Sequence, residues 1–153
     1  MKLPRTIPRL DGGVVKFYSI PKLDGGVAIM QTAGNPSAEV LRWSQDQIDA
    51  VNVNGIKEID KSAIPNDRTF RSAWKPDLAV DMDKARDIHR DKLRKLRTTK
   101  LEALDVELSR NPSKFDEIDA KRQALRDVTA DPAIDAAKTP AELKAAIPSV
   151  LAQ

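Results

Sequence analysis

The chain contains no cysteine. That excludes a disulfide framework and a thiolate metal site, and it fits a reducing compartment. Histidine occurs once, at His89, so Ser-His-Asp catalysis would have to use that one residue. Aromatic side chains are also scarce: Phe17, Tyr18, Trp43, Phe70, Trp74 and Phe115 are all there are. A core must therefore come mostly from Leu, Ile, Val and Ala. Such a core is modest, and a partner or a second copy could supplement it. No apolar run approaches the ~20 residues of a membrane span. Met1 to Leu10 carries basic residues but no apolar stretch, so no signal peptide is expected. A soluble intracellular protein fits these features, as does a virion component made inside a bacterium.

Charge is plentiful but nearly balanced. Charged residues make up 32% of the chain, and the formal net charge is +3. That balance permits nucleic-acid contact without arguing for it. The length of 153 residues suits one compact domain or a small domain with an extended arm.

The first positive feature is a repeat. Ile7-Pro8-Arg9-Leu10-Asp11-Gly12-Gly13-Val14 recurs thirteen residues later as Ile20-Pro21-Lys22-Leu23-Asp24-Gly25-Gly26-Val27. Each Leu-Asp-Gly-Gly is a turn signal, because glycine reaches φ > 0 at little cost. The apolar stretches Val14 to Ile20 and Val27 to Met30 read as short strands after these turns. Neither copy continues into the glycines or the Gly-Lys-Ser/Thr ending of a phosphate-binding loop. Residues 38–50 carry a weak helical pattern in Val40, Leu41, Trp43 and Ile48. Val51 to Ile59 alternates around Asn54-Gly55 and reads as two strands joined by a hairpin turn.

From Val80 the pattern becomes helical. Met82, Ala85, Ile88, Leu93, Leu96, Leu101, Leu104 and Leu108 predict one long amphipathic helix of about 30 residues. Asn111-Pro112 ends it and caps the next helix, whose stripe is Phe115, Ile118, Leu125 and Val128. The short connection favours an antiparallel helical hairpin. Asp131-Pro132 and Thr139-Pro140-Ala141-Glu142 are two further cap-and-proline starts, and Pro148 is the final stop. The expected fold class is α+β, a small N-terminal β-rich arm or meander followed by a C-terminal helical hairpin with short terminal helices. The divisions fall at 1–36 for the arm, 37–79 for a small α/β segment and 80–148 for the helical hairpin.

Few residue sets suggest chemistry. His89-Arg90-Asp91 matches the start of the protein-kinase catalytic loop, but the required Asn is Leu96 here. His89 sits among Asp87, Arg90, Asp91 and Lys92, which reads as a solvated helix face. Asp81 and Asp83 lack the remaining ligands of a calcium loop. No catalytic residue, cofactor or metal is expected. Arg86 to Lys100 holds seven basic and two acidic residues. It could be a phosphate-binding face or a solvated helix, and no aromatic interleaves the basics for base stacking.

The densest element is Asp67-Arg68-Thr69-Phe70-Arg71-Ser72-Ala73-Trp74. Arg68, Phe70, Arg71 and Trp74 unite residue types enriched at interface hot spots. They either dock on a partner or anchor the segment to the chain's own helices. In the repeats, Leu10, Val14, Leu23 and Val27 are further candidates for protein contact.

Residues 56–147 resemble small phage proteins of the tail and tail-fibre assembly chaperone type. The resemblance rests on Ile64-Pro65-Asn66-Asp67-Arg68-Thr69-Phe70-Arg71-Ser72-Ala73-Trp74 and on the helix from Met82 to Arg94. Leu104-Asp105-Val106-Glu107, Lys121 to Asp127 and Asp131-Pro132-Ala133-Ile134 follow in order. It implies a non-enzymatic phage protein that binds tail, fibre or neighbouring virion subunits, located in the virion or the host cytoplasm. Two departures stand out. Ile147-Pro148 replaces the Trp-Pro ending of such chaperones, and the doubled element at 7–27 is foreign to them. An added ordered arm suits a minor structural component retained in the particle. A homo-oligomer is possible on this reading, nucleic acid is an unlikely partner, and no membrane is involved.

Overall fold

The computed structural model describes residues 14–152, so Leu10 and the first repeat up to Gly13 lie outside the described residues. The fold is α+β, a three-stranded antiparallel sheet followed by helices. It divides into two compact units, with the boundary between Asp81 and Met82.

In the first unit, β1 (Lys16–Pro21) pairs with β2 (Val27–Thr32) and with β3 (Lys57–Ile59), giving the order β2-β1-β3. Alternation along the strands sends Tyr18, Ile20, Ala28 and Met30 to one face. There they pack with Val40, Trp43, Ile48 and Val51 in a common core. The sheet has strands on both sides of residue 36. In the described part of the arm, β1 is the centre and β2 an edge of a sheet that also contains residues 57–59, and Ile20 is fully buried in that sheet's core.

The second Leu-Asp-Gly-Gly is the turn the sequence predicts. Gly25 N–H donates to the Lys22 carbonyl at 3.1 Å, and Lys22 N–H to the Gly26 carbonyl at 2.9 Å. Asp24 Oδ1 accepts from Gly26 N at 2.8 Å, and Gly25 takes φ 79°. This is a type I turn closed by a left-handed residue, a common three-residue hairpin. Residues 75–79 build the same loop. Leu78 N–H donates to the Lys75 carbonyl at 2.9 Å and Lys75 N–H to the Ala79 carbonyl at 2.8 Å. Asp77 Oδ1 accepts from Ala79 N at 3.0 Å. The left-handed position is held by Leu78, with φ 66°.

Asn54-Gly55 is not a hairpin turn. Val53–Gly55 is a 3-10 turn whose cap, Asn52, accepts from Asn54 N. A type I′ turn needs φ > 0 at both central residues, and neither Asn54 nor Gly55 has it. Gly55 serves close approach instead, since a Cβ there would lie 2.9 Å from Pro21 Cγ. Val51 makes only a bridge to Lys22, while 57–59 pairs with β1. Residues 38–50 likewise split into α1 (Pro36–Val40) and α2 (Gln45–Asp49). Asn35 caps the first, accepting from Ser37 N and Ala38 N. Ser44 and Gln47 form a capping box on the second.

The second unit is carried by α3 (Met82–Arg110). A 3-10 turn at Pro112–Lys114 leads into α4 (Phe115–Asp127), then α5 (Pro132–Ala136), α6 (Pro140–Ala145) and α7 (Ser149–Ala152). Arg122 of α4 pairs with Asp105 of α3 at 2.7 Å. Nearer the start of α3, Arg97 Nη1 reaches the Arg126 carbonyl at 3.0 Å. The two helices therefore run antiparallel. Asp131 caps α5 and Thr139 caps α6, each with proline at the first position. Two members of the expected stripes face water: Leu96 is 44% and Phe115 54% exposed. At 100° per residue, Leu96 is turned about 60° from Leu93. Phe115 opens its helix before the hairpin closes. Asn111 caps its turn without a side-chain hydrogen bond.

Candidate interaction surface

The element at 67–74 is neither a helix nor a strand. Asp67 Oδ1 accepts from the Thr69 N–H at 3.0 Å and its hydroxyl at 2.6 Å. This local Asx turn starts the segment. Arg71–Ala73 then forms a 3-10 turn, with Ala73 N–H donating to Phe70 and Trp74 N–H to Arg71. In such a turn, residues three apart share a face. Phe70 and Ala73 share the inner one, and Trp74 follows in extended backbone. Phe70 and Trp74 are each 3% exposed and Ala73 is 0%. Of the two readings of this element, its aromatics thus belong to the chain's own interior. Their rings are not available to a partner in this conformation. Arg68 is exposed and Arg71 half-buried. Neither guanidinium has a hydrogen bond or ion pair among the described residues.

The repeat candidates behave differently. Val14 is 80% and Leu23 71% exposed, while Val27 is half-buried at the start of β2. Val14 and Leu23, at opposite ends of β1, are apolar surface of the kind that partners cover, and Val15 next to Val14 is 42% exposed. Between β1 and the Asp60–Lys61 bend lies an open groove of about 660 Å³ bounded by Val15, Phe17, Glu58 and Ile59. Lys16 closes one side through a 2.9 Å ion pair with Glu58, which raises the lysine's pKa above its ordinary value.

The basic run on α3 has a structural use that the sequence reading missed. His89 is 2% exposed, not solvated, and its Nε2 lies 2.9 Å from the Ala146 carbonyl. A carbonyl can only accept, so Nε2 carries the proton. Arg86 donates to the Ala137 carbonyl at 3.0 Å, Arg90 to Thr129 at 3.4 Å, Arg97 to Arg126 at 3.0 Å and Lys100 to Val150 at 3.4 Å. Ala137 and Ala146 are the C-caps of α5 and α6, and Arg126 lies in the last turn of α4. Helix C-termini leave carbonyls without intrahelical partners and carry partial negative charge. One face of α3 therefore supplies cationic and imidazole donors to the ends of the elements that pack on it. Residues 86, 89, 90, 93, 97 and 100 fall within roughly a third of the helix circumference. The signal was present as a helical spacing of polar residues around buried Leu93.

Arg90 also pairs with Asp135 at 2.6 Å, and Arg86 with Asp83 at 2.7 Å. Arg94 pairs with Asp91. Lys92 and Lys95 are exposed and make no ion pair or hydrogen bond among the described residues. Most of the run is thus engaged within the fold, which removes the main support for a phosphate-binding face. Among the described residues, no group of three or more His, Cys, Asp or Glu is placed to hold a metal ion. Among the described residues, no helix is long and apolar enough to cross a membrane.

No family model, curated protein or solved structure matches the chain.

Proposed function

We propose that this chain is a non-enzymatic phage protein that binds tail or tail-fibre structural proteins as an assembly chaperone or accessory factor. The resemblance over residues 56–147 supplies the class of partner. The observation that carries a binding role is the outer face of the 67–74 element. Phe70, Ala73 and Trp74 are buried, while Arg68 is exposed and Arg71 half-buried, three residues apart and with no hydrogen bond or ion pair to either guanidinium among the described residues. Arginine in such a position offers planar, bidentate donors to a carboxylate. The matching surface on the partner is acidic. Exposed Lys75 adds a further positive charge on the same segment.

Affinity capture with tagged chain from infected cells tests the proposal. A tail or tail-fibre subunit should be recovered, and Arg68→Ala with Arg71→Ala should reduce its recovery while leaving the melting temperature in place. Recovery unchanged in that double variant would refute the assigned surface.

A second reading, a minor component retained in the virion, is supported by the β1–β2 hairpin, which the resemblance does not cover. Quantitative mass spectrometry of purified particles separates the two. Stoichiometric recovery favours the structural component, and absence from particles favours the transient chaperone.

A further inference from the structure

We infer that β2 is an edge through which two copies of this chain pair, antiparallel and centred on Ile29. The inference stands apart from the phage reading and rests on sheet geometry and charge.

The register fixes which backbone groups are unused. Lys22 N–H donates to the Gly26 carbonyl and closes the β1–β2 ladder. Hydrogen-bonded and non-hydrogen-bonded pairs then alternate along the strands. Pro21↔Val27 is non-hydrogen-bonded, Ile20↔Ala28 bonded, Ser19↔Ile29 non-bonded, Tyr18↔Met30 bonded, Phe17↔Gln31 non-bonded and Lys16↔Thr32 bonded. The Pro21 carbonyl confirms the phase, since it points away from β2 and accepts from Asn52 N at 2.8 Å. Ala28, Met30 and Thr32 therefore spend their N–H and C=O groups on β1. Val27, Ile29 and Gln31 aim theirs outward, and no backbone partner meets them among the described residues.

Edges of this kind are normally blunted by charge, proline or a bulge. The other edge, β3, is three residues long and carries Lys57 and Glu58. β2 has six residues, Val-Ala-Ile-Met-Gln-Thr, with no charge, proline or bulge. It lies in the longest uncharged stretch of the chain, Gly25 to Ala38, in a sequence that is 32% charged overall.

A two-fold axis at Ile29 makes this edge self-complementary. Val27 faces Gln31 of the second copy, Ile29 faces Ile29, and Gln31 faces Val27. These are the outward-pointing residues, so every free N–H and C=O on both strands finds a partner. Ala28 faces Met30 on the core side. On the other side, Ile29 gains an apolar cross-strand neighbour in its own counterpart, a favourable pairing. No like charges meet from Gly25 to Ala33, because none are there.

Amide hydrogen exchange, read residue by residue at micromolar and near-millimolar concentration, tests this on the intact chain. The amides of Ala28, Met30 and Thr32 should be protected at both concentrations. Those of Val27, Ile29 and Gln31 should become protected only at the higher one, as sedimentation equilibrium registers a dimer. Gln31→Pro removes one outward donor and no β1 bond, at an exposed side chain. It should abolish the dimer without lowering the melting temperature. Gln31→Lys should do the same by charge, and serves if the proline variant fails to fold. Fast exchange at Val27, Ile29 and Gln31 at every concentration would overturn the inference. So would protection independent of concentration, which would mean that the chain covers its own edge, or a dimer indifferent to both substitutions.

Discussion

Leu78 offers the sharpest test of how strain and burial trade in this fold. Its φ of 66° is left-handed, and its side chain is 8% exposed. The equivalent residue in the Lys22–Gly26 loop is Gly25, which adopts φ 79° freely. For a residue with a Cβ, the left-handed region costs roughly 1–2 kcal/mol. Truncating a buried leucine to alanine costs about 2–5 kcal/mol. Burial therefore exceeds strain, which is why leucine is tolerated there. Leu78→Ala should lose about 2–5 kcal/mol, because it discards the packing and keeps the strain. Leu78→Gly discards the same packing and one further methyl, but relieves the strain. Within a helix or strand, glycine is less stable than alanine by roughly 0.5–1 kcal/mol. At position 78 the order should invert, with glycine at least equal to alanine. Urea denaturation of the three proteins measures this, provided the m-values agree. Alanine exceeding glycine by the ordinary margin would refute the reasoning.

Other outcomes follow from the same structure. Trp74→Ala should destabilise the fold by about 3–5 kcal/mol in chemical denaturation, as a large buried side chain does, whereas Arg68→Ala should stay within about 0.5 kcal/mol. His89→Leu leaves the part-buried Ala146 carbonyl without its donor and should cost about 1–3 kcal/mol, while His89→Gln, which restores an N–H, should recover part of it on a thermal melt. Glu142 accepts from the Lys138 N–H and from Thr139, which hold its carboxyl below the ordinary value of 4.5. A lowered carboxylate stabilises the fold above its unfolded value and loses that contribution as pH falls through the folded one. A carbon-detected titration of Glu142 should therefore show a midpoint below 4.5, and a midpoint at or above it would contradict the cap.

The sequence announces its helical half better than its first half. The caps at Asp131 and Thr139 and the length of α3 follow from local rules, because proline and a short polar acceptor fix a helix start within a few residues. The sheet depends on distant partners. Nothing local says that Lys57–Ile59 pairs with Phe17–Ser19 rather than with Val51–Val53, and Asn54-Gly55 suggests the wrong turn. The polar residues of α3 misled for a different reason. His89 and Arg90 look solvated in a hydropathy pattern, yet their partners are main-chain carbonyls, which no side-chain pattern displays. At 67–74 the sequence found the important residues but could not sort them. A 3-10 turn at Arg71–Ala73 followed by extended backbone at Trp74 buries both aromatics and leaves Arg68 exposed and Arg71 half-buried, a local geometry that no residue pattern announces.

Cross-linking mass spectrometry in infected cells tests the proposed role most directly. Lys61 and Lys75 lie on either side of the 67–74 element, and both are exposed. The account predicts lysine cross-links from these two residues to acidic segments of a tail or tail-fibre subunit, lost in the Arg68→Ala, Arg71→Ala double variant. Cross-links to such a subunit only from Lys92 and Lys95 on α3, or none to any tail protein, would contradict it.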